Sequence, residues 1–133
     1  MEKRILLVED DDRFRDTFTR ALTLALAAER LEVTFVESDS LAEARARLRE
    51  GGLDAALIDV TLPDGNGLDL VREINDGGPA VSIPTLVLTA GLDYSVAARA
   101  VEAGALGAQS KAVSMPETVE AIMRLTGTRH REG

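Results

Sequence analysis

Five short apolar runs, separated by stretches with helical spacing, restrict this chain more than any other feature of its sequence. The runs cover residues 5–8, 33–36, 55–58, 85–88 and 106–110, the last being the least apolar. Runs of this length match strands, and strands without polar alternation belong in a sheet covered on both faces. Between the first two runs, Phe14, Phe18, Leu22 and Leu26 recur at helical spacing, with Asp12 as the expected N-cap. Ser40 can cap a second helix, and Glu43 three residues on completes a capping box. Leu41, Ala44 and Leu48 form its inner face, and Gly51 and Gly52 stop it. Leu68, Val71 and Ile74 mark a third helix ended by "NDGGP", and residues 95–103 a fourth stopped by Gly104. Pro116 opens a fifth that carries Val119, Ile122 and Met123. Strands alternating with helices predict an α/β domain with a parallel sheet. The expected unit spans residues 1–126, with 127–133 as a frayed tail or the start of a linker.

At 133 residues the chain has the size of one domain, and 45% apolar residues suffice for one core. Only 3% are aromatic, so Leu, Val, Ile and Ala must build that core. The net charge of −8 repels phosphate backbones and argues against direct binding of nucleic acid or anionic membrane. The absence of cysteine removes disulfides, thiolate metal sites and thiol nucleophiles. No apolar run approaches the length of a membrane span, and "MEKRILLVED" lacks a signal-peptide pattern, so a cytoplasmic location is the default expectation.

In an open parallel sheet the ligand site lies beyond the carboxyl ends of the strands. The first run ends in Glu9, Asp10 and Asp11, the third in Asp59, the fourth in Thr89, and the fifth in Ser110 and Lys111. Taken singly, each has an ordinary reading: a helix cap for the acids after the first run, a turn cap for Asp59, a strand residue for Thr89, a surface lysine for Lys111. Together they place acids, a hydroxyl and an ammonium at one sheet edge. Glu9, Asp10 and Asp59 brought close would repel one another, and a divalent cation removes that conflict. Magnesium prefers oxygen ligands and takes one or two carboxylates plus phosphate oxygen. Such a site can hold a metal and then a phosphoryl group, with one aspartate as nucleophile. The metal, Lys111 and the Thr89 hydroxyl would then compensate the phosphoryl oxygens.

The stretches "RILLVEDDDRFR", "AALIDVTLPDGNGLDL", "PTLVLTA" and "AGALGAQSK" resemble, in order and spacing, the receiver domain of bacterial two-component response regulators. The resemblance runs from about residue 3 to residue 125. It implies a flavodoxin-like (βα)5 three-layer sandwich with a five-stranded parallel sheet in the order 2-1-3-4-5. It also implies a regulatory domain in place of an enzyme, taking a phosphoryl group from a histidine kinase or phosphotransfer protein onto Asp59. Asp10 would ligate Mg2+ directly, Glu9 through a bound water, and Thr61 through its backbone carbonyl. Thr89 would hydrogen-bond the phosphoryl group and Lys111 would pair with one of its oxygens. The carboxylate of Asp59 is expected to be exposed and reactive. The implied outputs are an attached or separate partner, such as a DNA-binding domain, or a homodimer.

Three departures from the family pattern stand in the sequence. Lys111 is followed by Ala112 where many receivers have proline, a form similar to receivers attached to LuxR-type helix-turn-helix domains, and a trans bond is expected. The position of the usual switch aromatic holds Ala108, and Thr61 and Gly91 are small where the attacking water passes in the family. The alternative reading is a degenerate receiver acting as a non-phosphorylated interaction module. A haloacid-dehalogenase-like phosphatase would need an acid at Thr61. A flavin-binding protein is disfavoured by "EDDD" and the lack of tryptophan. His130 is read as a tail residue.

Overall fold

The computed structural model describes residues 2–76 and 83–128. Among the described residues, seven strands and five helices follow one another as β1 (Glu2–Val8), α1 (Asp12–Ala28), β2 (Glu32–Ser38), α2 (Leu41–Glu50), β3 (Ala55–Asp59), β4 (Thr61–Leu62), β5 (Gly65–Asn66), α3 (Gly67–Asn75), β6 (Thr85–Thr89), α4 (Tyr94–Ala103), β7 (Ala108–Ser110) and α5 (Met115–Leu125). Five of the strands form one parallel sheet in the order β2-β1-β3-β6-β7, which is the expected order once the two shortest strands are set aside. Those two, β4 and β5, pair antiparallel as a small separate ribbon, which no apolar run foretells.

Successive strand residues face opposite sides, and the core divides accordingly. Leu6, Val8, Ala56, Ile58 and Val87 pack under α2, α3 and α4 with Leu41, Leu48, Leu70, Val71 and Ala100. Ile5, Leu7, Leu57, Leu86 and Leu88 face α1 and α5 through Phe18, Leu22, Leu26, Val119 and Ile122. The central strands are buried on both faces, which explains why they contain no polar alternation. Val8 lies opposite Ile58, and Thr89 opposite Ser110, so these strands finish close to the same level.

Helix caps settle several boundaries. Asp11, not Asp12, caps α1: its side chain accepts from the Phe14 N–H at 3.0 Å, while Asp12 begins the helix and pairs with Arg15. One residue separates the two choices in a run of four acids, and periodicity cannot resolve that. Ser40 caps α2 as expected, with Glu43 bonded back to the Asp39 N–H. A second carboxylate reaches the same helix end from across the fold. Asp64, in the turn between β4 and β5, accepts from the N–H groups of Leu41 and Ala42 at 2.8 and 3.0 Å, and these bonds hold its carboxyl below the usual carboxylate range. At the far end of the chain, Gly127 (φ 70°) and Thr128 donate to the carbonyls of Arg124 and Met123, closing α5 in a Schellman motif. Residues 129–133, including His130 and most of the expected tail, lie outside the described residues, as does the "GGP" of the third helix stop.

Gly67 joins the ribbon to α3 and touches the end of β3. Its N–H donates to the Val60 carbonyl at 2.7 Å, and a Cβ here would overlap the Asp59 carbonyl oxygen and crowd Ile58 Cγ2 at 2.9 Å. No rotamer can relieve a backbone overlap. Gly67→Ala is expected to cost about 3 kcal/mol of unfolding free energy, as an overpacked and strained site does, measured by urea denaturation; a loss under about 0.5 kcal/mol would show that the strand end yields easily.

Candidate functional site: an acidic pocket at the carboxyl strand ends

The acids that follow β1 and close β3 converge. One carboxylate oxygen from each of Glu9, Asp10 and Asp59 lies within 4.8 Å of the others. Glu9 is wholly buried and Asp59 is 5% exposed, whereas Asp10 faces solvent. The expected exposed carboxylate of Asp59 is thus corrected: it is buried at the end of a strand whose residues are all buried, and the Lys111 side chain, itself only 19% exposed, reaches across to it. Burying two carboxylates side by side is unfavourable unless cationic or hydrogen-bonding partners compensate them.

Lys111 supplies much of that compensation. Its Nζ donates to Asp59 Oδ2 at 3.0 Å and pairs with Glu9 Oε1. Its position is set by β7, where the Lys111 N–H donates to the Thr89 carbonyl at 2.9 Å. Burial pulls the Lys111 ammonium toward lower pKa, but the bonds to Glu9 and Asp59 outweigh it, and the group is held above the ordinary lysine range. The remaining Glu9 oxygen accepts from the Asp11 N–H at 3.0 Å. Arg15 draws the β1 end toward α1 and β2: it donates to the Glu9 carbonyl at 2.6 Å and pairs with Asp12 and Glu37.

The other expected residues fall around this centre. The Thr61 N–H donates to Asp59 Oδ1 at 3.3 Å, so Asp59 also caps its own turn. The hydroxyl of Thr89, at the end of β6, accepts from the Gly91 N–H at 3.2 Å. Gly91 opens onto empty space on its side-chain face, and Thr61 is exposed. Ala108 is half buried in β7 and brings no ring to the site, and no peptide bond among the described residues is cis, including that between Lys111 and Ala112. Two participants escape sequence reasoning. Phe14, expected simply as part of the inner face of α1, lies with its ring centroid 4.9 Å from Lys111 Nζ. Asp64 carries no chemistry but pins the turn that follows Asp59 to α2.

The donor set is all oxygen and carries excess negative charge. Three carboxylates face one directly paired ammonium, an arrangement that suits a hard dication and not a soft metal. Glu9, Asp10 and Asp59 are the side chains that could hold it.

A doubly wound parallel α/β domain with an acidic pocket and a lysine at its strand ends is thus defined. The chain matches the response regulator receiver domain family over residues 5–123 and belongs to that family. It is 34% identical to the swarming motility regulation protein RssB of Serratia marcescens, over 89% of this chain and 50% of that protein. It is 33% identical to the DNA-binding transcriptional activator DevR/DosR of Mycobacterium tuberculosis, over 90% of this chain and 52% of that one. The chain spans about half the length of these curated relatives. A two-component response regulator of the LuxR family from Aurantimonas sp. SI85-9A1 superposes with a TM-score of 0.80 at 30% identity, covering 97% of this chain and 89% of that one. The fold is shared with a CheY-like receiver domain protein from Methanospirillum hungatei JF-1, with a TM-score of 0.77 over 96% of this chain and 95% of that one at 24% identity. Among the described residues no helix is long and apolar enough to cross a membrane.

The charge balance makes a test possible without any ligand. Lys111→Met leaves two buried carboxylates without their ammonium and is expected to lower stability by about 2–3 kcal/mol, a value discounted for partial exposure. Asp59→Asn removes one of the repelling charges and is expected to raise it by about 1 kcal/mol. Urea unfolding in metal-free buffer at neutral pH checks both signs; equal signs would show that packing, not charge, governs the pocket.

Proposed function

We propose that Asp59 accepts a phosphoryl group from the phosphohistidine of a kinase or phosphotransfer protein, and that this alters a partner-binding surface. The observation that carries the reading is the buried Asp59 carboxylate bonded to Lys111 with Glu9 and Asp10 beside it. One Asp59 oxygen forms a bond to phosphorus as the N–P bond breaks. The bonding pair stays on the imidazole nitrogen, which takes up a proton. Lys111 then shifts its hydrogen bond from the carboxylate to a phosphoryl oxygen. The Thr89 hydroxyl, which already accepts from Gly91, has a proton to donate to another phosphoryl oxygen. Its movement carries the residues after β6 and biases the surface near α4 and β7 between two states.

Asp10 and Asp59 would ligate Mg2+ directly, Thr61 through its backbone carbonyl, and Glu9 through a bound water, in keeping with the Glu9 contact to Lys111. When bound, the ion neutralises the carboxylates and the phosphoryl oxygens. Residues 1–126 form the receiver unit in this reading, and 127–133 begin a tail or linker. The chain catalyses nothing beyond its own phosphotransfer and dephosphorylation, and acts in the cytoplasm where a kinase can reach it. Its output is an attached domain, DNA-binding in kind, a separate partner or a second copy. The second reading, a non-phosphorylated interaction module, draws on the absence of a ring at Ala108.

Acetyl phosphate with magnesium chloride is expected to add one phosphoryl group per chain, located at Asp59 by peptide mass spectrometry and abolished in Asp59→Asn. No labelling under millimolar magnesium would favour the interaction module. Hydrolysis of the phosphoaspartate is governed by loose access past Gly91 and Thr61, since both leave the approach open. Gly91→Leu is therefore expected to slow dephosphorylation several-fold, followed by loss of label after the donor is removed; an unchanged rate would remove this account of the lifetime.

A further inference from the structure

The ring of Phe14 stands over the ammonium of Lys111, with its centroid 4.9 Å from Nζ. The same ring stacks on Phe18 one turn further along α1, at 5.0 Å between centroids and 23° between planes. Phe18 is itself buried in the core under α1 and α5. The Lys111 ammonium therefore has three neighbours of two kinds: the carboxylates of Glu9 and Asp59 and the face of an aromatic ring. The β7 side contributes no ring, because position 108 is alanine.

A lysine ammonium rides on a flexible four-carbon stem and loses considerable rotamer freedom when held in place. Two carboxylates attract it but do not by themselves choose which side of the pocket it occupies. A ring face attracts a cation through its quadrupole, and more strongly when both are partly withdrawn from water. Phe14 is half buried, and its own position is fixed by the stack on Phe18.

We infer that Phe14 is a positioning residue, which holds the Lys111 ammonium beside Asp59 so that it meets the incoming phosphoryl oxygen. The inference rests on the phosphoacceptor reading above. It also gives α1 a direct link to the phosphorylated site. When Lys111 shifts its bond from the carboxylate to the phosphoryl group, the contact with Phe14 changes with it. An aromatic on the first helix thus reports on the state of Asp59 in a chain whose last strand carries none.

The test uses the whole chain. Two-dimensional NMR of the wild-type protein is expected to show the Lys111 ε-methylene protons displaced upfield by the Phe14 ring current. Phe14→Leu, which keeps an apolar side chain but no ring, is expected to remove that displacement. It should also slow phosphorylation by saturating acetyl phosphate about fivefold, the scale of one partly buried cation–π contact. Phe14→Tyr restores both, since tyrosine presents the same ring face. Magnesium affinity, followed by amide shifts, stays within twofold in all three proteins because Phe14 ligates nothing. Lys111 ε-protons at ordinary shifts in the wild-type protein would overturn the inference without recourse to any variant. A Phe14→Tyr protein as slow as Phe14→Leu would overturn it too, by showing a purely steric role. If the wild-type protein takes no label at Asp59, the phosphoacceptor reading fails and the Phe14 assignment with it. If Asp59 is labelled and Phe14→Leu matches the wild-type rate, the Phe14 assignment fails alone.

Discussion

One ammonium group shared between two buried carboxylates is the interaction on which the site depends. Glu9 and Asp59 arrive from adjacent parallel strands, and nothing in the backbone pairing requires acids there. Their burial is tolerable because Lys111 crosses from β7, two strands beyond β1's neighbour, to pair with both. The pairing spans the centre of the sheet and ties β1, β3 and β7 at their carboxyl ends. It leaves the pocket negative overall, with Asp10 open to water. A site built this way keeps an excess of carboxylate oxygen that could hold a hard cation.

Around that centre the fold acts mainly by fixing backbone. Arg15 gathers the ends of β1, α1 and β2. Asp64 fastens the turn beyond Asp59 to the first N–H groups of α2, where the orphan donors of a helix favour a carboxylate. These contacts gather at strand and helix ends on one edge of the sheet, while most of the two apolar layers lies between the sheet and its helices. Chemistry and stability are therefore largely separated in space, as expected where ligands bind beyond strand ends.

The architecture is legible in the sequence because both of its periods are clean. Central strands buried on two faces read as unbroken apolar runs, and the helices carry their inner faces at regular spacing. The site is legible for the same reason: once the runs are strands, Glu9, Asp10, Asp59, Thr89 and Lys111 must fall at one edge. What the sequence hides is contact between residues that no period relates. The β4–β5 ribbon is two residues a side and too short to show alternation. Asp64 reaches a helix end 23 residues upstream, and Phe14 looks like any inner-face residue of α1. The choice between Asp11 and Asp12 as cap turns on a single hydrogen bond in an acidic run. The partner that meets the buried Asp59 carboxylate is a lysine 52 positions later.

The close seating of Gly67 against the Asp59 carbonyl has a consequence for how such a domain can diversify. The spacing between the strand that bears Asp59 and the start of α3 is gauged chiefly by main-chain contact, the Asp59 carbonyl against Gly67, with only the Ile58 methyl beside it. The outward surface of that helix can be rewritten residue by residue to suit a new companion, and the Asp59 carboxylate will keep its station.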